Sequence, residues 1–198
     1  RLPPRLGRVL IAAGSTRAAA EICAILSEGS HRPPGGSVAI TDSDVLSLRE
    51  NFSRAPKSLQ RVADQIRRTG EKVLGASKAA SAGALPAGAV SDESTHLRRA
   101  LLAGYPDRLA HRRTAGSDRM ILASGHGAHL ADSSGVRDAE WLLAIGLRSA
   151  QGRQGAEARV EIASRVEREW IRAEEQVVMH RLDARTGKVR AVVQERVG

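Results

Sequence analysis

An α+β protein, with a helical bundle ahead of a β-barrel, is the fold this sequence predicts, and three observations predict it. Through most of residues 1–113 the apolar positions recur every three to four residues, the period of an amphipathic helix. From residue 119 they recur every second residue, the period of a half-buried strand. Between the first helices and the rest, Gly, Ala and Ser dominate 70–91, with Pro86 inside. That stretch reads as a flexible connection.

The helices come first. One covers 5–14, with Leu6, Val9, Leu10 and Ala13 on a common face. A second covers 15–28. Ser15 is placed to cap it, Ala18, Ile22, Ile25 and Leu26 form its stripe, and Gly29 ends it. His31-Arg32-Pro33-Pro34-Gly35-Gly36 makes 29–40 a loop. The third runs from Thr41-Asp42 to about Ser53, with Val45, Leu48 and Phe52 on one side. Pro56 opens the fourth, in the first turn where its missing N–H costs nothing. Leu59, Val62, Ala63 and Ile66 line that helix, Arg61, Arg67 and Arg68 face out, and Gly70 stops it. A fifth is expected over 92–103, burying Leu97, Leu101 and Leu102, until Gly104-Tyr105-Pro106-Asp107 breaks it. A short basic helix is expected over 108–113.

The strands follow. The first covers 119–124, bends at Gly125-His126-Gly127 and continues over 128–130. The second is 140–147, with Trp141, Leu143, Ile145 and Leu147 on one side. The third is 157–163, with Ala158, Val160 and Ile162 inward and Glu157, Arg159 and Glu161 outward. A short helix over 166–173 precedes strands at 175–182 and 188–196, joined by a turn at 183–187. Three strands, a helix and two strands is the order of an OB-fold, a five-stranded barrel widely used on oligonucleotides.

Composition narrows the function. The chain has 198 residues, 41% hydrophobic and 27% charged, which is globular. No apolar run approaches the roughly 20 residues of a membrane span, and the start is too short in apolar residues for a signal peptide. Residue 1 is Arg, which reads as a piece cut from a longer chain. One cysteine, Cys23, excludes an internal disulfide and suits a cytoplasmic setting. The net charge is +9 and the pI about 11.0, which favours anionic partners, nucleic acid first. Phe52, Tyr105, Trp141 and Trp170 are all the aromatics. With so few rings, contact is expected to lean on phosphates and sugars. Trp141 reads as a core or barrel-lid residue, and Trp170 as packing the short helix onto the barrel.

No complete catalytic site is legible. Gly75-Ala76-Ser77-Lys78 lacks the Gly-Lys-Ser/Thr ending of a phosphate loop. Gly125-His126-Gly127-Ala128-His129 has no third glycine and opens no helix, so a hairpin bend is the better reading. His126 and His129 have no third metal ligand nearby. No Gly-x-Ser-x-Gly elbow is present, and Glu174-Glu175 reads as solvated charge. Neither cofactor nor metal is expected in this segment. The basic residues carry the signal. Arg98-Arg99 sits on helix five, while Arg108, Arg112, Arg113 and Arg119 crowd the approach to the barrel. Helical spacing puts Arg108 and Arg112 on one face. Lys188 and Arg190 share a side of the last strand. These six are the candidate phosphate contacts; the competing account is a solvated surface paired with Asp107 and Asp118.

The stretch 100–113, Ala-Leu-Leu-Ala-Gly-Tyr-Pro-Asp-Arg-Leu-Ala-His-Arg-Arg, is distinctive. Met120 to Ala128 and Glu140-Trp141-Leu142 follow it. Together they resemble the HrpB-type branch of DEAH-box ATP-dependent RNA helicases. The opening Pro4-Arg5-Leu6-Gly7-Arg8-Val9-Leu10 and the end from Asp183 to Gly198 are also similar to that family. Ser124 replaces the family's Asn in the bend, and the 175–182 strand lacks the expected tryptophan. The resemblance implies a helicase-associated helical region over 1–113 and an OB-fold-like domain over 114–198. It implies that ATP and magnesium belong to RecA-like motor domains elsewhere in the parent, and that this segment is not catalytic alone. The implied partners are single-stranded RNA or DNA and the motor domains. The alternative is a module that docks an activator protein with little RNA contact.

Overall fold

A computed structural model describes residues 2–29, 39–78, 92–148, 157–171, 175–183 and 188–196. The loop expected at 29–40 and the connection at 70–91 fall largely outside the described residues, as does the turn at 184–187. Two compact units are present, 1–166 and 167–198.

The first unit opens with helices α1 (Pro4–Ala12) and α2 (Arg17–Ser27). Pro4 takes the first helical position, where its fixed φ suits the turn. Leu6, Val9 and Leu10 form the buried stripe of α1. The cap of α2 is Thr16, whose hydroxyl accepts from the Ala19 N–H at 3.2 Å, and not Ser15. Ser15 instead adopts φ 55° and is buried, so it completes the turn out of α1. Every residue of α2 from Ala18 to Ile25 is buried. Its small side chains let α1 and α4 approach closely.

Helix α3 (Asp44–Glu50) is shorter than expected, because Phe52–Arg54 tightens into a 3-10 turn that buries Phe52. Helix α4 (Lys57–Lys78) runs through Gly70. Gly70 is not a stop; it is a contact point. A Cβ there would strike Ser15 Oγ and come 2.8 Å from Leu10 Cδ2, so only glycine lets α4 lie against the α1–α2 turn. Helix α5 (Glu93–Gly104) ends at a second such contact. A Cβ on Gly104 would strike Val9 Cγ2 and come 2.8 Å from the Arg5 carbonyl oxygen.

The Tyr-Pro-Asp-Arg turn is a clasp on α1. Arg5 donates to Asp107 Oδ2 at 2.9 Å, and its guanidinium lies 5.6 Å from the Tyr105 ring centroid, within cation–π reach.

The expected basic helix over 108–113 is absent. Pro106–Arg108 is one 3-10 turn, and Leu109–Arg112 is strand β1. That strand lies on the helical side of the expected 113/114 boundary. Strands β2 (Arg119–Leu122) and β3 (Gly127–Leu130) are separate arms of a hairpin rather than one bent strand. Gly125, at φ 80°, makes the turn between them. Strands β4 (Trp141–Arg148) and β5 (Ala158–Val166) follow.

These five close into a barrel in the order β1-β2-β3-β5-β4, with β3 and β5 parallel and β4 returning to β1. This is an OB-like barrel, as expected, but built from other strands. Met120, Leu130, Leu142 and Val160 fill it. Residues 131–140 connect β3 to β4 without a helix.

Segment 41–44 fastens the helices to the barrel. The buried Asp44 carboxylate accepts from Ser134 Oγ at 2.6 Å, the Gly135 N–H at 2.7 Å and the Ala163 N–H at 2.8 Å. Ser43 bridges Ser164, and the Arg165 N–H donates to the Asp42 carbonyl at 2.7 Å.

The second unit contains a 3-10 turn (Arg168–Trp170) in place of the expected helix, then strands β6 (Glu175–Asp183) and β7 (Lys188–Arg196). Both strands form where alternation places them. Among the described residues they pair with each other, as a two-stranded antiparallel sheet separate from the five barrel strands.

Candidate nucleic-acid interface

The six expected contacts separate into different settings. Arg112 is buried inside the unit at 5% exposure. Its guanidinium donates to the carbonyls of Ala139 at 2.8 Å, Val136 at 3.2 Å and Ser117. Burial, with Arg137 nearby, lowers its pKa from the ordinary arginine value. Its donors are committed to the 131–140 connection, so it is a strut of the barrel. Arg108 is half-buried on the 3-10 turn, with its Nε 3.5 Å from Asp107 Oδ2. It shares no helical face with Arg112. Lys188 and Arg190 lie on β7, at register positions opposite Asp183 and Arg181. Arg98, from the helix-five pair, is buried.

Arg113 and Arg119 are exposed, and strand pairing brings them together. The Arg113 N–H donates to the Arg119 carbonyl at 3.0 Å, extending the β1–β2 register by one step. Arg119 is the cross-strand partner of His129 on β3. His129 is the partner of Arg159 on β5, and Arg159 is the partner of Arg148 on β4. Partners in register project to the same face of a sheet, and Met120, Ala128 and Val160, next in sequence, point into the core. Arg113, Arg119, His129, Arg159 and Arg148 therefore form one ladder across the outside of the barrel. Because it takes one residue from just past the end of β1 and one each from β2, β3, β5 and β4, it winds round the wall of the closed barrel, its members about 4.8 Å apart from strand to strand.

Like charges directly opposite one another destabilise a sheet by up to about 1 kcal/mol per pair. Arg148, at one end, is paired from its Nε to Glu161 Oε2 at 3.1 Å. Glu157 and Glu161 lie on the same face of β5 as Arg159. The ladder starts at the 113–118 connection between β1 and β2. That loop and strands 2 and 3 are among the places where OB-folds take oligonucleotides.

Three ladder members, His129, Arg148 and Arg159, are not among the phosphate contacts expected from the sequence. Alternation alone places Arg159 outward, but the ladder needs the register of four strand pairs, and register is not local.

Other charged places are less suited. A cavity of about 460 Å³ among α2, α3 and α4 is lined by Arg17, Arg49 and Arg67 together with Glu21, Glu50 and Asp64. Arg17 and Arg49 both bond Glu21 there, at 2.9 and 3.1 Å, so its charges are largely balanced. Gly75-Ala76-Ser77-Lys78 lies in the last turns of α4. Among the described residues no group of three His, Cys, Asp or Glu is arranged to hold a metal ion, and no helix is long and apolar enough to cross a membrane.

No protein-family model matches the sequence, and no curated protein sequence matches it significantly. Solved structures do. The chain superposes on the crystal structure of the E. coli DExH-box NTPase HrpB with a TM-score of 0.62 and 26% identity, over 99% of this chain and 22% of that one. A crystal structure of the Escherichia coli DEAH/RHA helicase HrpB gives a TM-score of 0.60 and 24% identity, over 96% of this chain and 22% of that one. The similarity to the HrpB-type helicases read in residues 100–145 thus extends over nearly the whole chain, and this chain, helices followed by an OB-like barrel, matches a segment that makes up about a fifth of those HrpB structures.

Proposed function

We propose that this chain is a non-motor accessory segment of an ATP-dependent RNA helicase, and that its barrel grips the sugar-phosphate backbone of single-stranded RNA. The cationic ladder carries this reading. Four arginines held in register, with a histidine among them, present positive charge at strand spacing, and arginine forks pair with phosphate oxygens two at a time. The barrel fixes the backbone that carries them, so binding has to order the arginine side chains but not the chain beneath them. The similarity to HrpB supports the helicase setting. ATP and magnesium belong to the motor domains in this reading, and hydrolysis there supplies movement. The present residues hold the strand and pass closure on. A cytoplasmic setting follows from the same reading.

Arg113 and Arg119 remain phosphate contacts in this account, joined by Arg148 and Arg159. Arg112 is a structural residue. The test is binding of a labelled oligouridylate to the 198-residue chain and to an Arg119→Glu/Arg159→Glu variant. Reversal is expected to weaken binding at least tenfold, with the circular dichroism unchanged. Equal affinity would refute the ladder as the contact. Absence of binding by the parent chain at low salt would favour the alternative, a surface for a protein partner.

A further inference from the structure

We infer that the row beside the ladder holds an unpaired nucleobase, so that the barrel face selects single strands over duplex. This placement rests on the backbone-contact reading of the ladder. His111, on β1, is the register partner of Trp141 on β4 and of Ile121 on β2. These three residues therefore stand side by side on the outside of the barrel. Ile121 is 42% exposed, the His111 side chain is 42% exposed, and Trp141 is half-buried. The His111 and Trp141 rings are in contact, with centroids 4.3 Å apart and planes at 41°. The Glu140 carboxylate lies 3.3 Å from His111 Nε2. That contact is made at the ring edge, so the imidazole is held by Glu140 at its edge and by the Trp141 ring on one side.

The geometry relative to the ladder identifies the occupant. Arg113 follows His111 by two residues, and Arg119 precedes Ile121 by two. Each arginine thus sits about 7 Å along the strand from the apolar row, on the same face. Flat apolar rings next to fixed cations are the two halves of a single-strand site, one for a base and one for its phosphate. A duplex keeps its bases stacked inside and offers this row only sugar and phosphate. Contact that leans on phosphates and sugars leaves room for this, because two rings in contact suffice for one base.

Trp141 is its own reporter once Trp170 is replaced. In a Trp170→Phe chain, oligouridylate is expected to quench the Trp141 fluorescence. An abasic oligomer of equal length and a fully paired duplex are expected to bind without quenching. The base-bearing strand is expected to bind roughly 5- to 100-fold tighter than the abasic one, the worth of one stacked base. His111→Ala should lower the oligouridylate affinity towards the abasic value and leave the abasic affinity unchanged. Equal affinity for both oligomers without quenching would overturn the base site while leaving the backbone grip intact. Quenching by duplex would overturn the selectivity. Failure of every oligomer to bind at low salt would overturn both.

Discussion

Replacing Asp44 with alanine removes the acceptor that joins α3 to the barrel. Its carboxylate takes the Gly135 and Ala163 N–H groups and the Ser134 hydroxyl, all within 2.8 Å, at 5% exposure. The alanine leaves two backbone N–H groups buried without that acceptor. Each orphaned donor costs about 1–3 kcal/mol, and the hydroxyl can rotate to another acceptor. The sum is about 2–6 kcal/mol, so a loss near 4 kcal/mol is expected. A domain's whole stability is only about 5–15 kcal/mol. With a urea m-value of about 2 kcal/mol/M, the midpoint should fall by about 2 M. Urea denaturation followed by tryptophan fluorescence and by far-ultraviolet circular dichroism measures this. Ser134→Ala alone should cost about 1 kcal/mol. The double variant should be less destabilised than the sum, because the hydroxyl and the carboxylate act on each other. A loss under 1 kcal/mol for Asp44→Ala, or strict additivity, would refute the view of Asp44 as the fastening between helices and barrel.

Gly104→Ala should destabilise by about 1–3 kcal/mol through the clash with Val9 and the Arg5 carbonyl, although alanine is the better helix former; a gain in thermal midpoint would show that α1 and α5 tolerate separation. Burial pushes the Cys23 thiol up to about 12, and its Sγ donates to the Leu6 carbonyl at 3.4 Å. Iodoacetamide should therefore label the native chain far more slowly than the urea-unfolded chain at pH 8. The same shift has a sign for stability. Below the unfolded thiol's value, near 8.5, its contribution is fully present, and it is lost as pH rises from there towards 12. Cys23→Ala should flatten that part of the alkaline stability profile. Arg112→Met should lower stability by about 3 kcal/mol or more, because three carbonyls lose their donor. The variant that folds should keep the salt dependence of RNA binding, since Arg112 is no phosphate contact.

The sequence displayed the helices well because amphipathic periodicity is local. Val9, Ile22, Val45, Ile66 and Leu101 all lie where the 3.6-residue period puts them inward. It failed where a residue's role depends on a distant neighbour. Gly70 reads as a helix stop, yet its missing side chain is what admits Ser15 and Leu10. Leu109–Arg112 carries two basic side chains in four residues and follows a helix, so it reads as helix; pairing with β2 and β4 makes it a strand.

The same limit governs the barrel and the site. The segments 175–182 and 188–196 read as strands, but no local signal says that they pair with each other in a sheet separate from the barrel strands. Arg113 and Arg119 were visible as basic residues near a barrel. That they continue into His129, Arg159 and Arg148 was not, because parallel pairing of β3 with β5 joins residues some thirty positions apart. Arg112 looks equal to Arg113 in sequence. One points inward to carbonyls and the other outward to solvent, as strand alternation requires and helical spacing does not.

The most direct test of the ladder is the salt dependence of oligouridylate binding. With four arginines meeting phosphates, the logarithm of the affinity should fall linearly with the logarithm of salt, at a slope of about −3. An Arg119→Gln/Arg159→Gln chain should bind with a slope shallower by about 1.4, two contacts fewer. A slope near zero in the parent chain, or an unchanged slope in the double variant, would contradict the account.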